Sequence, residues 1–170
     1  SSNVAAVRLL GEVGSENVIE TAQDFGISAA MTKGDPSLAL GTSTMTLLEL
    51  TAAYAGVAAN SFPVEPCGFV RPEASWWERL TDGTSSLSRS THGEMLEMLR
   101  AAINEGTGRA AMLSQPNFGK TGTTQDNRDA WFIGFTPDMT VGVWVGNDNN
   151  APTDDVTGGG HGRRLVVHGP

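Results

Sequence analysis

The sequence predicts an α+β fold in which a helical region packs on an antiparallel sheet. Up to about residue 110, apolar residues recur at helical spacing and serine, threonine and glycine residues separate the segments. From about residue 116, short segments rich in aromatic and β-branched residues alternate with turn sequences. Helices therefore come first and strands last, and the 170 residues are enough to bury the core of one domain.

Two helices are predicted at the start of the chain. The first runs through the stretch SNVAAVRLLGEV, whose valines and leucines have helical spacing, and it ends at Gly14. Ser15 is predicted to cap the second helix, because a serine side chain can accept a hydrogen bond from the first turn. This second helix is predicted to end at Gly26.

Two further helices are predicted from the capping-box pattern, a threonine followed three residues later by a glutamate. Thr46 with Glu49 begins the third helix, and Thr91 with Glu94 begins the fourth. The fourth helix is predicted to end at Gly106.

Three strands follow, in the stretches FGKTGT, AWFIGF and TVGVWVGND. Their short connections predict an antiparallel meander over about residues 116–147. The resulting domain covers residues 1–160, with its helices in residues 1–110. Residues 161–170 match neither pattern and are predicted to form a disordered tail.

Composition excludes several classes of function. A net charge of -8 and an isoelectric point near 4.7 argue against a nucleic-acid partner. No run of 18 apolar residues is present, so we expect a soluble chain without a membrane span. Cys67 is the single cysteine, and His92, His161 and His168 lack the spacing of metal ligands. We expect neither a metal nor another cofactor.

The stretch FGKTGTT around Lys120 allows three interpretations. A phosphate-binding loop is disfavoured, because Ser114 occupies the position of its first glycine and a strand follows in place of a helix. A carboxylate site is favoured: a lysine at the end of a strand would lie beside the hydroxyls of Thr121 and Thr123, and Gly122 would let a substrate approach. For the tripeptide taken alone, a turn with an exposed lysine is the favoured interpretation, because three residues recur by chance in many proteins.

The Lys-Thr-Gly at residues 120–122 is accompanied by Ser-x-Asn at residues 1–3, and both belong to the motif set of penicillin-binding proteins. Together with PSLALGTSTMTLLELTAAYAGVAAN, INEGTGRAA, FGKTGTTQDNRDAWFIGF and VWVGNDNNAP, they give a specific match in the expected order. The chain resembles the C-terminal part of the transpeptidase domain of a bifunctional (class A) penicillin-binding protein. The resemblance implies a partial β-lactamase-like fold, located at the outer face of the cytoplasmic membrane in the intact protein.

The resemblance also implies a role for each motif residue. Ser1 would relay a proton to the leaving amine, and Asn3 would orient the substrate amide and the general-base lysine. Lys120 would attract the substrate carboxylate, Thr121 and Thr123 would hydrogen-bond it, and the Thr123 N–H would be one donor of the oxyanion hole. An ordinary helix cap for Ser1 and a surface position for Asn3 are the structural alternatives.

Two other stretches carry weaker predictions. The GTGRAA loop at residues 106–111 resembles a family loop near the site, and Arg109 in it is predicted to have a structural role. Asp129 and Trp131 are predicted to serve the turn and the packing of the strand in which they lie, without a catalytic role.

The chain departs from the family in lacking the Ser-x-x-Lys that carries the nucleophile. The chain has two lysines. Ala30 lies three residues before Lys33 and Asn117 lies three residues before Lys120, so neither lysine completes the motif. We therefore expect an upstream transpeptidase segment to be missing, no acyl-enzyme from this chain alone, and self-association through the core surface that would be exposed. The atypical tail further suggests that a C-terminal helix was lost to a frameshift at about residue 160.

The leading functional hypothesis is a fragment of a peptidoglycan D,D-transpeptidase that recognises D-Ala-D-Ala stem peptides and β-lactams. A non-catalytic binding module that keeps the carboxylate-recognising strand is the second hypothesis. The third is a β-lactamase- or esterase-like hydrolase that uses another serine, such as Ser1, Ser2 or Ser43. Labelling by a penicillin distinguishes the first two hypotheses, because a covalent serine adduct requires a nucleophile and a binding module gives at most weak, reversible binding. The third hypothesis predicts turnover of a chromogenic cephalosporin or ester that one serine substitution abolishes.

Overall fold

A computed structural model describes residues 2–69, 83–124, 127–149, 151–153, 156–157 and 163–164. The chain divides into two compact units, Ser2–Leu87 and the residues from Ser88 onward. We call them the helical unit and the sheet unit.

The helical unit begins with α1 (Asn3–Val13), and Ser2 caps it by accepting a hydrogen bond from the Ala5 N–H at 3.3 Å. The predicted end at Gly14 is confirmed: its N–H donates to the Leu10 carbonyl at 2.8 Å. A short 3-10 helix, Pro36–Leu40, packs against α1.

Ser15 does not cap the second helix, contrary to the prediction. It is the first residue of α2 (Ser15–Asp24), and Gly14 occupies the cap position without a side-chain bond. Because Ser15 lies inside the first turn, its hydroxyl is directed elsewhere and accepts from the Gly34 N–H at 2.9 Å. Gly26 follows the end of α2 with a positive φ of 87°, as a helix-terminating glycine does.

The capping box at Thr46 is confirmed for α3 (Leu47–Ala59). The Thr46 hydroxyl accepts from the Glu49 N–H at 3.1 Å, and the Glu49 carboxylate accepts from the Thr46 N–H at 2.9 Å. Glu49 also accepts from the N–H and hydroxyl of Ser28, across 21 residues of chain. The Ser28 hydroxyl first, and then Thr46, hold the pKa of the Glu49 carboxyl at about 2, so the ionised carboxylate ties the α2–α3 connection to the start of α3.

The sheet unit begins with α4 (Arg89–Asn104), and here the predicted capping box is wrong. Ser88 is the cap, with its hydroxyl accepting from the Thr91 N–H at 3.2 Å, so Thr91 already lies within the helix. The serine three residues earlier satisfies the first turn, and the helix starts sooner than predicted. At the other end, the Gly106 N–H donates to the Ala101 carbonyl at 3.1 Å and the helix stops as predicted.

The three predicted strands are present as β1 (Phe118–Thr123), β2 (Asp129–Phe135) and β3 (Thr140–Gly146). They form an antiparallel sheet in the order β1-β2-β3, with Lys120 opposite Ile133 and Ile133 opposite Gly142. In the sheet as described, β1 is therefore an edge strand.

One face of this sheet carries the core that joins it to α4. Phe132 of β2, Ile103 of α4 and Ala111 form a buried cluster, and Ile103 is fully shielded from solvent. Ala111 belongs to a second 3-10 helix, Arg109–Ala111, that follows α4. The helix thus packs directly on β1, which fixes the strand that carries Lys120.

The α+β class predicted from the sequence is confirmed. Beyond the meander, β4 (Val156–Thr157) pairs in parallel with β5 (Arg163–Arg164). The pairing of β5 lies inside the segment predicted as a disordered tail. The other residues of 161–170 lie outside the described part of the chain, so the prediction for them stays a prediction.

Candidate functional site

Lys120 is the third residue of β1 and lies within the strand, which continues through Thr123. The sequence placed the lysine at a strand end, and this detail is wrong because residues 121–123 go on pairing with residues 130–132 of β2. The lysine is followed by further strand residues up to Thr123, so the phosphate-loop interpretation lacks the helix N-terminus that it requires directly after the lysine.

The pleat of β1 separates the motif side chains onto two faces. Successive side chains of a strand alternate, so Lys120 and Gly122 share one face while Thr121 and Thr123 share the other. The sequence hypothesis placed the cation and both hydroxyls around one small anion. The structure separates them onto two faces, and the Lys120 Nζ bends towards the backbone and donates to the Thr121 carbonyl at 2.8 Å.

The outer edge of β1 offers backbone groups at alternate residues. The Thr124 N–H donates to the Asp129 carbonyl at 3.0 Å, so residue 124 faces β2. In an antiparallel pair, alternate residues face the partner strand, and the residues between them direct N–H and C=O away from it. The N–H groups of Thr121 and Thr123 therefore point to the outer edge of β1. The Lys120 ammonium lies at this same edge, against the Thr121 carbonyl.

Burial tunes the electrostatics of Lys120. The side chain is half-buried in the sheet unit, and loss of solvent around the ammonium lowers the pKa of Lys120 below its ordinary value. A partly desolvated cation interacts more strongly with a nearby anion than a fully hydrated one does. The position therefore favours electrostatic binding of an acceptor group at the strand edge.

Thr107 is a site residue that the sequence did not single out. Its hydroxyl lies 2.5 Å from the hydroxyl of Thr121, and either oxygen can be the donor. Thr107 lies in the Gly-Thr-Gly stretch after α4, and the resemblance had placed this loop near the site. That short pattern was the one feature of the sequence that could have pointed to Thr107. Arg109, in the same loop, is exposed at the start of the second 3-10 helix.

The turn after the motif strand is held by Asp129. Its carboxylate accepts from the Thr124 hydroxyl at 3.2 Å and from the Trp144 indole N–H at 2.9 Å. The Asp129 N–H in turn donates to the Thr124 hydroxyl at 2.8 Å. These contacts support the predicted turn role of Asp129, which fixes the segment next to Thr123.

Residues 1–161 match a family model described as the penicillin binding protein transpeptidase domain. The chain belongs to the penicillin-binding protein transpeptidase family. The resemblance found from the Ser-x-Asn and Lys-Thr-Gly motifs is confirmed.

Curated relatives give the same result. The chain is 40% identical over 153 residues to penicillin-binding protein 1A of Aquifex aeolicus. This alignment covers 87% of this chain and 21% of that protein. It is 31% identical over 177 residues to penicillin-binding protein 2D of Bacillus subtilis, covering 92% of this chain and 24% of that protein. The chain thus spans about a fifth to a quarter of the length of these relatives.

Solved structures show the same fold. Penicillin-binding protein 1A from Haemophilus influenzae superposes with a TM-score of 0.72 at 22% identity, over 96% of this chain and 30% of that one. The D,D-transpeptidase domain of a peptidoglycan glycosyltransferase from Eggerthella lenta superposes with a TM-score of 0.56 at 21% identity, over 84% and 45%. The partial penicillin-binding fold expected from the sequence is therefore present.

Four of the six predicted site residues are brought together on β1, namely Lys120, Thr121, Gly122 and Thr123. Ser1 lies outside the described residues. Asn3 is the exposed first residue of α1 and belongs to the helical unit. The predicted partnership of Ser1 and Asn3 with Lys120 therefore stays a prediction.

Within the described ranges of the chain, three or more histidine, cysteine, aspartate or glutamate side chains do not gather as metal ligands would. None of the helices in those ranges is both long enough and apolar enough to cross a membrane.

Proposed function

We propose that this chain supplies the carboxylate-recognising part of a peptidoglycan D,D-transpeptidase site, which binds D-Ala-D-Ala stem peptides and β-lactams. The observation that carries the proposal is the edge of β1, where the Lys120 ammonium meets the outward backbone of Thr121. A stem peptide and a β-lactam both end in a carboxylate beside a reactive carbonyl. An edge with one cation, hydroxyls and outward N–H groups matches both acceptors.

The proposed division of roles follows from the chemistry of each group. Lys120 and the Thr121 hydroxyl bind the carboxylate, Gly122 leaves space over the strand, and the Thr123 N–H polarises the carbonyl. Ser1 and Asn3 handle the leaving amine and the substrate amide. In the intact protein, the site works at the outer face of the cytoplasmic membrane.

The acylating serine of this reaction is proposed to lie in an upstream segment that is absent from these 170 residues. Asn117, three residues before Lys120, is buried, and its side-chain amide donates to the Ala111 carbonyl at 2.7 Å. It supports the strand and offers no nucleophile. Self-association through exposed core surface, expected from the sequence, stays a prediction.

Incubation of the 170-residue chain with a penicillin is expected to give no covalent adduct, because neither lysine has a serine three positions before it. Intact-protein mass spectrometry measures this directly. A stoichiometric adduct would overturn the proposed division and favour the alternative of a hydrolase with another serine, which peptide mapping would then identify.

Lys120→Gln is expected to weaken binding of a peptide ending in free D-Ala-D-Ala roughly tenfold. This is the lower end of the range for loss of a charge-assisted hydrogen bond, because the site is half-exposed. The shifts of the Gly122 and Thr123 amide signals in an NMR titration report the affinity. The same peptide with a C-terminal amide is expected to bind both proteins equally weakly.

Lys33→Gln is the matched control, since it removes the other lysine of the chain. Lys33 belongs to the helical unit, where it pairs with Glu16 at 3.0 Å on an exposed surface. Its loss should leave the affinity for the acid peptide unchanged. Equal affinity of the wild-type chain for the acid and amide peptides would contradict the proposed carboxylate site.

A further inference from the structure

The contact between Thr107 and Thr121 joins the loop after α4 to the motif strand. Their hydroxyl oxygens lie 2.5 Å apart, across 14 residues of chain. A carboxylate can only accept hydrogen bonds, so Thr121 must donate its single hydroxyl proton to bind one. The lone pair of Thr121 is then available to accept from Thr107.

We propose that Thr107 is a positioning residue of the carboxylate site, which donates to Thr121 and thereby directs the Thr121 hydroxyl proton towards the ligand. The inference rests on the proposed function and adds a specificity-determining residue to it. Thr107 acts through Thr121, and the bound group is the C-terminal carboxylate of a peptide or the carboxylate of a β-lactam.

The backbone around Thr107 is built to hold this hydroxyl in place. The N–H of Gly108 donates to the Ala102 carbonyl at 3.0 Å, which folds the loop back on the last turn of α4. A Cβ atom added at Gly106 would lie 2.7 Å from the Ala102 oxygen, and one at Gly108 would lie 2.8 Å from Cδ1 of Ile103. The loop therefore lies close against the helix on both sides of Thr107, and Gly106 leaves no room for a side chain beside the Ala102 backbone.

The same helix also fixes the strand. α4 packs on β1, and its Ile103 belongs to the buried cluster with Phe132, which lies opposite Thr121 in the sheet. Thr107 and Thr121 are thus carried by two elements that share one core. A hydroxyl pair set by such rigid supports can orient a proton without a large loss of conformational entropy on binding.

The two hydroxyl groups and the bound carboxylate form a series of hydrogen bonds that would also strengthen one another. When Thr107 donates to Thr121, the Thr121 hydroxyl becomes a better donor, because hydrogen bonds in a chain polarise each other. Loss of Thr107 leaves the Thr121 hydroxyl free to rotate and to donate elsewhere. The expected effect is therefore confined to ligands that have a carboxylate.

Thr107→Val keeps the shape of the side chain and removes the hydroxyl. We expect it to weaken binding of the acid D-Ala-D-Ala peptide roughly three- to tenfold, as for loss of one hydrogen bond. Thr107→Ser restores the hydroxyl and should return the affinity to within about twofold of wild type. Because Thr107 is exposed, the melting temperature should change by less than about 3 °C.

A double-mutant cycle with Thr121→Val tests whether Thr107 acts through Thr121. In the Thr121→Val background, Thr107→Val should cause no further loss of affinity. Additive losses, or an equal loss of affinity for the amide peptide, would overturn the positioning role.

The failure of this inference can be separated from the failure of the proposed function. If wild-type protein binds the acid and amide peptides equally, the carboxylate site itself is wrong and the inference falls with it. If wild-type protein prefers the acid and Thr107→Val keeps that preference in full, the role of Thr107 alone is overturned.

Discussion

Gly119→Ala is expected to destabilise the sheet unit by about 3 kcal/mol, the upper range for overpacking of a tightly packed site. A Cβ atom at Gly119 would lie 2.6 Å from the Ile133 carbonyl oxygen and 2.9 Å from the Gly134 Cα. Both are backbone atoms of β2, which cannot move aside as a side chain can. The added methyl group must therefore separate β1 from β2 or distort their pairing.

Gly93→Ala is the matched control, because it is the same substitution in the same unit. Gly93 lies in α4, and a Cβ atom there meets no other atom within 4 Å. Alanine in an open helical position should stabilise the unit by about 0.5–1 kcal/mol. One added methyl group thus has opposite effects at two sites.

Urea unfolding measured by hydrogen exchange of the β2 and α4 amides gives the free energy of the sheet unit for each variant. If the free energy of unfolding of the Gly119→Ala protein lies within about 0.5 kcal/mol of the wild-type value, then β1 does not approach β2 as closely as the structure shows. The result bears on the site, because Gly119 immediately precedes Lys120 and sets the position of the motif strand.

Helices and strands that are stabilised by contacts between residues close in sequence were predicted well. The capping box of Thr46 and Glu49 involves residues three apart, so the pattern and the structure contain the same contacts. The meander was predicted because β-branched and aromatic residues occur in short runs between turns. At α4 the pattern pointed to Thr91, and it did not indicate that Ser88, three residues earlier, is the cap.

The site was predicted less completely, because its geometry depends on contacts between distant residues. Family resemblance identified Lys120 and Thr121, but the strand pairing alone determines which backbone groups point to the outer edge of β1. Thr107 was missed as an individual residue, since its partner lies 14 positions away and a lone threonine between glycines resembles an ordinary helix end. Helix packing on the sheet brings the two hydroxyls together.

Phe132→Ala is expected to destabilise the sheet unit by about 3–5 kcal/mol, as large-to-small substitutions of buried aromatic residues do. Phe132 is 6% exposed and packs with Ile103 and Ala111. Its ring also lies directly beside the backbone of Gly134, where an added Cβ atom would come within 2.7 Å of it. The cavity left by alanine has rigid backbone on one side, so it cannot collapse easily.

Phe118→Ala provides the comparison, because it removes the same ring from the other face of the sheet. Phe118 is half-buried and stacks on Phe135 with ring centroids 5.2 Å apart, so its loss should cost about 2 kcal/mol. Urea unfolding, followed by hydrogen exchange as for Gly119→Ala, gives the loss of unfolding free energy for each phenylalanine variant. An equal or smaller loss for Phe132→Ala would contradict a core on the α4 face of the sheet.

The two phenylalanine variants should also differ in peptide binding. Phe132 joins α4 to the face of β1 that carries Thr121, whereas Phe118 lies on the face that carries Lys120. With Phe132 truncated, α4 and β1 lose their shared core, and the Thr107 and Thr121 hydroxyls are no longer held together. At temperatures where both variants remain folded, Phe132→Ala should therefore lose the Thr107-dependent part of acid-peptide binding, and Phe118→Ala should retain it.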